Sequence, residues 1–300
     1  MGSLFKQIYR YTHTRPFRHN ENLWPYMKIG RAPTGEIASL RYKGRQIPLA
    51  DLSALRGSCR GPLLLTATGP SVKTIRFKTP SPLPAMGVNG AWFLQQQVGF
   101  RFYVVVDMGF YDQKREVIAQ IIGDPALTLF TTAHGIARIL DRHGPAAVKC
   151  QLALIEDAAV KIYQPKIEAP ALQAAYAGQP SAHFAPGRPD IGFTTDIRHG
   201  IFDAGTVVYW ALQIAAYLGF DEIFILGLDM NNFHQPRFYE TEENKQPSYL
   251  ADSLTGLVMP SLRHAGEILR RQAVRVVNLS PHSAIDESIF EKADYHAIFN

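Results

Sequence analysis

Cysteine is nearly missing from this chain of 300 residues: Cys59 and Cys150 are the only two, and they stand far apart. Two distant thiols make neither a disulfide framework nor a structural zinc site, so the usage fits a reducing compartment or a fold with no need of disulfides. Histidine occurs ten times, yet never at His-x-x-x-His or His-Glu-x-x-His spacing, which excludes the common zinc arrangements. Gly-x-Gly-x-x-Gly is absent, and a nicotinamide-binding loop loses its support. No Gly-Lys-Ser/Thr follows a glycine loop, so there is no Walker site, and no Gly-x-Ser-x-Gly elbow exists for serine hydrolysis. The N-terminus is too polar and aromatic to read as a secretory leader. The uncharged apolar run from Ala204 to Phe220 falls short of the roughly 20 residues a membrane span needs, and Asp221-Glu222 follow at once.

What remains is a chain able to bury about three quarters of its unfolded surface without staples. Its formal net charge of +5 fits anionic partners such as phosphates, nucleic acid or an acidic membrane, and equally an ordinary mildly basic protein. Lys6, Arg10, Arg15 and Arg18 alternate with Phe5, Tyr9, Tyr11, Phe17, Trp24 and Tyr26. That mixture suits a lipid headgroup layer or an arm packed over a core; Pro16 prevents one continuous helix.

The organising stretch is Asp203 to Asp229. Asp203-Ala204-Gly205-Thr206 precede an uncharged block that reads as a buried helix ending at Gly219, and Ile223 to Leu228 reads as a doubly buried strand ending on Asp229. Upstream, residues 36–42 and 45–49 flank Lys43-Gly44 as a hairpin. Strands are predicted at Leu63–Thr68, Ala85–Val88, Phe102–Val106, Leu127–Phe130 and Val274–Asn278. Helices are predicted at Ala91–Gln97, Tyr111–Ile122, Gly135–Leu140 and Asp252–Gln272, the last interrupted near Gly256 and Pro260. Alternating short strands and helices predict an α/β fold, a Rossmann-like and mostly parallel sheet. In such a sheet ligands gather at the carboxyl ends of the strands, which here carry Thr68-Gly69-Pro70-Ser71, Asn89, Asp107, Asp229 and Asn278-Leu279-Ser280.

The expected organisation is a basic, aromatic N-terminal extension with a β-hairpin over 1–57, then one α/β domain over 58–300. A proline-punctuated insertion covers 157–200, within a polar and irregular stretch beginning near Gln151. An irregular lid covers 230–250. Gly69-Pro70-Ser71 is a candidate phosphate loop, with open N–H groups at the start of a following helix, or a plain turn. Asn89 and Asp107 suit ribose hydroxyls or a base edge, or simply close their strands. Asp229 with Asn231 and Asn232 has Asp-x-Asn spacing, common by chance, and no metal is assigned to it. Asp252, Asp203 and His234 are the leading candidate general bases, with His264 and His282 also open to that role.

Taken in order, the Thr68–Ser71 loop, Asn89, Asp107, the Gly205–Asp229 block and Asn278-Leu279-Ser280-Pro281-His282-Ser283 resemble the bacterial family 42 sialyltransferases. They also resemble the related lipopolysaccharide-core and flagellin glycosyltransferases that share a Gly-Pro-Ser loop, Kdo transferases above all. The resemblance covers roughly residues 60 to 285. It implies a GT-A-like variant with a lid and a CMP-linked ulosonic acid as donor. It also implies a lipopolysaccharide-type or other glycan as acceptor, no cofactor and no nucleic-acid partner. Location is expected in the cytoplasm, at the inner face of the inner membrane for a lipid-linked acceptor. On this reading Gly69 and Ser71 face the nucleotide and Asn89 and Asp107 help hold it, with Thr68, Asp229 and Asn231 as further substrate-binding candidates. Gly205 and Thr206 touch the sugar, and Tyr239 and Tyr249 correspond to phosphate-gripping lid tyrosines. The sialyltransferases place their catalytic histidine where this chain has Asp252, and carry Asn where it has Asp107. Two other readings stay open: a Mg²⁺-dependent pyrophosphokinase-like enzyme of the same fold family, and a polyanion- or RNA-binding protein, for which no RRM, KH or zinc-finger signature is present.

Overall fold

The computed structural model describes residues 3–77, 83–231, 233–248 and 250–299. Asn232 and Tyr249 lie outside them. In chain order the strands are β1 (Met27–Arg31), β2 (Ile37–Tyr42), β3 (Arg45–Ile47), β4 (Pro62–Thr66), β5 (Ala85–Val88), β6 (Phe100–Val105) and β7 (Thr128–Thr131). They continue with β8 (Gln151–Leu154), β9 (Ala182–Ala185), β10 (Arg188–Thr194), β11 (Glu222–Leu226), β12 (Arg275–Asn278) and β13 (Glu291–Lys292). The helices are α1 (Ser3–Thr12), α2 (Leu52–Leu55), α3 (Met108–Gln113), α4 (Arg115–Gly123), α5 (Ala133–His143) and α6 (Leu172–Ala175). After them come α7 (Val207–Leu218), α8 (Leu250–Ser253), α9 (Met259–Arg271) and α10 (Tyr295–Phe299). The chain divides into two compact units, one of residues 1–55 with 108–202 and one of 56–107 with 203–300.

The second unit is a parallel, Rossmann-like sheet in the order β13-β12-β11-β4-β5-β6. Its strands are buried on both faces: Leu63, Leu65, Tyr103, Val104, Ile223 and Ile225 are fully shielded, which is why they read as continuous apolar runs rather than alternating ones. Helix α7 is buried along nearly its whole circumference. That explains the uncharged block: it has no solvent face to carry charge, and at 12 residues it is far too short for a bilayer. Among the described residues no helix is long and apolar enough to cross a membrane. Gly219 ends α7 in a left-handed turn at φ +100°, with its Cα against the Cys59 carbonyl, a place that a side chain would block. Chain order runs β4, β5, β6 to one side and β11, β12, β13 to the other, so the connections reverse direction between β4 and β11.

The first unit holds the antiparallel sheet β1-β2-β3, the parallel pair β7-β8 and the β9-β10 hairpin. The Lys43-Gly44 turn is present, with both residues at positive φ. The Arg31 guanidinium bonds both oxygens of buried Glu156, which also accepts the Ile162 N–H, so three distant segments meet on one carboxylate.

Several local expectations change. Residues 91–97 do not form an α-helix; Asn89–Leu94 is a 3-10 turn that begins with the left-handed Asn89. The helix predicted over Tyr111–Ile122 is two helices broken at Lys114, which leaves the helical region at φ −113°, ψ +51°. The stretch from Gln151, read as polar and irregular, begins with β8 and contains β9-β10; its prolines fall between or at the edges of strands, where a missing N–H costs little. Between α8 and α9 the helix widens into a π turn over Leu254–Val258. Pro260 has no N–H for the Gly256 carbonyl and its ring crowds it, so the helix opens there.

Candidate functional site

Five strands of the second unit, β4, β5, β6, β11 and β12, run parallel side by side. Chain direction alone therefore puts the segments after them at one edge: Thr68–Ser71, Asn89, Asp107, Asp229 and Ser280. The reversal between β4 and β11 opens the crevice where ligands of such sheets bind.

Gly69-Pro70-Ser71 and Asp229 close on each other at that crevice. The Ser71 N–H donates to Asp229 Oδ2 at 2.9 Å and the Ser71 hydroxyl to Oδ1 at 2.5 Å. With its one proton spent, Ser71 Oγ accepts from Ser280 Oγ at 3.0 Å. Gly69 donates to the Gly227 carbonyl at 2.9 Å, and a Cβ on Gly69 would stand 2.6 Å from that oxygen and overlap the Asp229 carboxylate. Hydrogen bonding within the chain thus occupies this loop. Its Gly69 and Ser71 N–H groups are committed and Pro70 has none. The buried Asp229 carboxylate takes both the Ser71 N–H and the Ser71 hydroxyl. The loop and Asp229 form a clasp at the crevice wall. Asn278 and Ser283 complete it from below, donating to the Leu228 carbonyl at 3.0 and 2.7 Å. Asn231 is likewise engaged, its Nδ2 donating to the His282 carbonyl at 2.7 Å. Among the described residues no three His, Cys, Asp or Glu side chains gather as a metal site.

Asn89 is the unusual residue of the edge. It adopts φ +45°, held there by the Tyr103 hydroxyl, which donates to the Asn89 carbonyl at 2.7 Å. Its side-chain Oδ1 is shielded from solvent and has no hydrogen-bond partner. A buried acceptor left unmet costs about 1–3 kcal/mol, and such atoms call for a donor from outside. Next to it, Gly90 has no side chain because the Tyr239 ring lies against its Cα. Tyr239 stacks on Phe93 at 4.7 Å between centroids and 12° between planes, and Phe238 N–H donates to the Thr68 carbonyl at 3.3 Å. The 230–248 segment thus runs across the edge. It is braced internally by Arg237, which bonds buried Glu240 at 2.8 Å, and by Lys73 Nζ on the Glu240 carbonyl at 3.3 Å. Burial pushes the Tyr239 hydroxyl up to about 12; Arg237 opposes this while Glu240 and Asp107 add to it. Tyr239 is therefore a protonated donor at neutral pH, and exposed Asp107 lies within electrostatic reach of it.

Asp203 shapes the approach to α7. Its Oδ1 accepts from Trp210 Nε1 at 2.7 Å and its Oδ2 from Gly205 N–H at 3.1 Å. Gly205, at φ +72°, then lets buried Thr206 open the helix without capping it through its hydroxyl. The first N–H groups of a helix have no partner within it and carry partial positive charge, so this helix end attracts an anion. Since α7 runs back antiparallel to β11, its N-terminus faces the carboxyl edge. A Cβ on Gly205 would meet Ser253 Oγ at 3.4 Å, which places α8, and exposed Asp252 on it, beside that helix end. His234 is exposed in the 230–248 segment, where its carbonyl accepts from Lys245. Ser280 and Phe93 join these residues at the edge: the sequence marks Ser280 only as a strand end, and nothing in it marks Phe93 as the partner of Tyr239.

No family model matches the chain, and no curated protein matches it in sequence. Among solved structures it is similar to the sialyltransferase CST-II in complex with trisaccharide acceptor and CMP, at 16% identity and TM-score 0.39, over 76% of this chain and 85% of that one. It is also similar to the sialyltransferase CstII from Campylobacter jejuni in complex with the substrate analogue cytidine-5'-monophosphate, at 16% identity and TM-score 0.41, over 76% and 84%. At that identity and TM-score the likeness assigns neither family nor substrate to this chain.

Proposed function

We propose that this chain is a glycosyltransferase that moves an ulosonic acid, Kdo-like or sialic-acid-like, from CMP to a glycan of lipopolysaccharide or related type. The observation that carries the reading is the orphaned Asn89 Oδ1 at the carboxyl edge, in the same unit as the N-terminus of α7, which no side chain caps. An unmet acceptor suits a cytosine amino group or a ribose hydroxyl, and a helix N-terminus suits the phosphate. Hydrogen bonding within the chain occupies the Gly69–Ser71 loop, so the phosphate is directed toward Gly205 and Thr206, with the Tyr239 hydroxyl as a further donor.

In the reaction the acceptor hydroxyl attacks the anomeric carbon, the bond from that carbon to the phosphate oxygen breaks, and CMP leaves with the electron pair. Charge grows on the phosphate, where fixed donors lower the barrier. The acceptor proton needs a base. Asp252 is the best placed of the three leading candidates, because both oxygens of Asp203 already hold the α7 turn and His234 sits on the covering segment. A lipid-linked acceptor would set this work at the cytoplasmic face of a membrane.

Thermal melting with CMP, CMP-Kdo, CMP-sialic acid, UDP-sugars and GDP-sugars tests the reading. Ligand at 100-fold its Kd adds about 2.7 kcal/mol of stability, a rise of several degrees. Cytidine compounds should raise Tm and the others should not. No shift with any of them removes the nucleotide-sugar reading, and a shift only with a nucleoside triphosphate and Mg²⁺ transfers the case to pyrophosphoryl transfer.

A further inference from the structure

Helix α1 presents two apolar stripes where a helix packed on one surface needs one. Phe5 and Tyr9 face the first unit, where Phe5 meets Trp24 and Tyr26 edge-on at 6.1 and 5.7 Å and Tyr9 is fully buried. Leu4, Ile8 and Tyr11 follow at the i, i+4, i+7 spacing that lines one side of a helix, and they point away: they are 64%, 38% and 91% exposed. They make up half of the large hydrophobic side chains left exposed among the described residues, the others being Phe5, Phe93 and Ile298. Singly exposed apolar residues need no explanation, but a row of them on one helix face does.

The charge around that row has one sign. The first twenty residues hold Lys6, Arg10, Arg15 and Arg18 and no Asp or Glu. Lys6, Arg10 and Arg18 all act on the single carboxylate of Glu21, to which Arg10 is bonded at 2.7 and 2.8 Å, so a surplus of positive charge remains beside the helix. Arg15 and Arg18 are exposed on the 3-10 turn that follows. An apolar stripe bordered by cations and free of acids is the pattern of a helix lying in the plane of an anionic bilayer.

We propose that α1 is a membrane-surface anchor: Leu4, Ile8 and Tyr11 enter the boundary between headgroups and acyl chains of an anionic lipid surface, and Lys6, Arg15 and Arg18 contact the headgroups. The anchor belongs to the first unit and involves none of the residues of the nucleotide site, so it stands or falls apart from the transferase reading.

Co-sedimentation of the full chain with vesicles tests it, using phosphatidylcholine alone and phosphatidylcholine with about 30% phosphatidylglycerol. The protein should pellet with the anionic vesicles, on the order of tenfold more than with the neutral ones, and should be released by high salt. Leu4→Glu with Ile8→Glu should abolish pelleting, and Lys6→Glu with Arg18→Glu should weaken it. Leu4, Ile8 and Arg18 are exposed and Lys6 is half-buried at the surface, so Tm and any CMP-induced shift of it should stay close to those of the parent chain. Absence of binding to anionic vesicles, or equal binding by the Leu4→Glu, Ile8→Glu variant, overturns the proposal. So does a stable dimer in solution that this variant splits, since a second copy would then be what covers the stripe.

Discussion

Ser71 and Asp229 stand 158 residues apart in sequence and are joined by two hydrogen bonds, at 2.9 and 2.5 Å, across the point where the strand order reverses. Replacing Asp229 by Ala leaves the Ser71 N–H and hydroxyl without their acceptor in a half-buried place, and should cost about 1–3 kcal/mol. Asp229→Asn keeps one acceptor and should cost less. Denaturant unfolding checks both. If Asp229→Ala is as stable as the parent chain, the clasp is not what fixes the crevice.

Asn89 separates backbone from side chain. Asn89→Gly keeps the left-handed turn at φ +45° and removes only the unmet acceptor, so stability should change by less than about 1 kcal/mol. Affinity for CMP should fall on the order of tenfold, the value of one hydrogen bond. Asn89→Ala should lose affinity equally and also about 1 kcal/mol of stability, because Ala disfavours that turn. Calorimetric titration of both variants decides; unchanged CMP affinity in Asn89→Gly removes this side chain from recognition.

Gly90 and Tyr239 test the cover. Gly90→Ala puts a methyl group into the Tyr239 ring and should push it off Phe93, making 230–248 easier to cleave by protease and raising the KM for donor. Tyr239→Phe preserves the stack and removes only the hydroxyl, so protease resistance should persist while kcat falls. Equal protease sensitivity in Gly90→Ala and the parent chain would show that this contact does not hold the segment.

Asp252 and Asp203 should separate in kinetics. Asp252→Asn should lower kcat by about 10²–10⁴-fold while leaving Tm and CMP binding intact. Asp203→Asn disturbs the bonds to Gly205 and Trp210 and should lower Tm as well. A fully active Asp252→Asn variant would falsify the assignment of the base.

His134 should make the first unit acid-sensitive. Its Nε2–H donates to the His19 carbonyl at 2.8 Å, and burial, with the nearby His19 and Arg138, holds its pKa below the usual histidine value against that hydrogen bond. The unfolded chain then binds the proton more readily than the folded one. Stability is full above about pH 6.5 and is lost as the pH falls from there toward the folded pKa, by at most about 1.4 kcal/mol per pH unit. His134→Gln should flatten that slope in unfolding curves taken between pH 7 and 5; an unchanged slope assigns the acid sensitivity elsewhere.

The sequence by itself determined the elements whose signal is local. The strands at 63–66, 85–88 and 223–226 are apolar runs closed by a turn residue, Gly219 stops α7, and the uncharged face of α7 announces that it is buried. Once those strands are parallel, their carboxyl ends share an edge, so the neighbourhood of Thr68, Asn89, Asp107 and Asp229 follows from chain direction. Local signal failed where long-range contacts choose the conformation. Asn89 begins a 3-10 turn with its carbonyl held by Tyr103, and β8 forms in a stretch whose prolines advertise loops. Only the tertiary structure decided what each side chain at the edge is free to do. It spends Ser71 and Asp229 on each other, Asp203 on the α7 turn and Gly90 on making room for Tyr239, and it leaves Asn89 Oδ1 unmet. Hydrogen-bonding capacity is written in the residue type, but whether it is already satisfied depends on partners that folding brings from far along the chain.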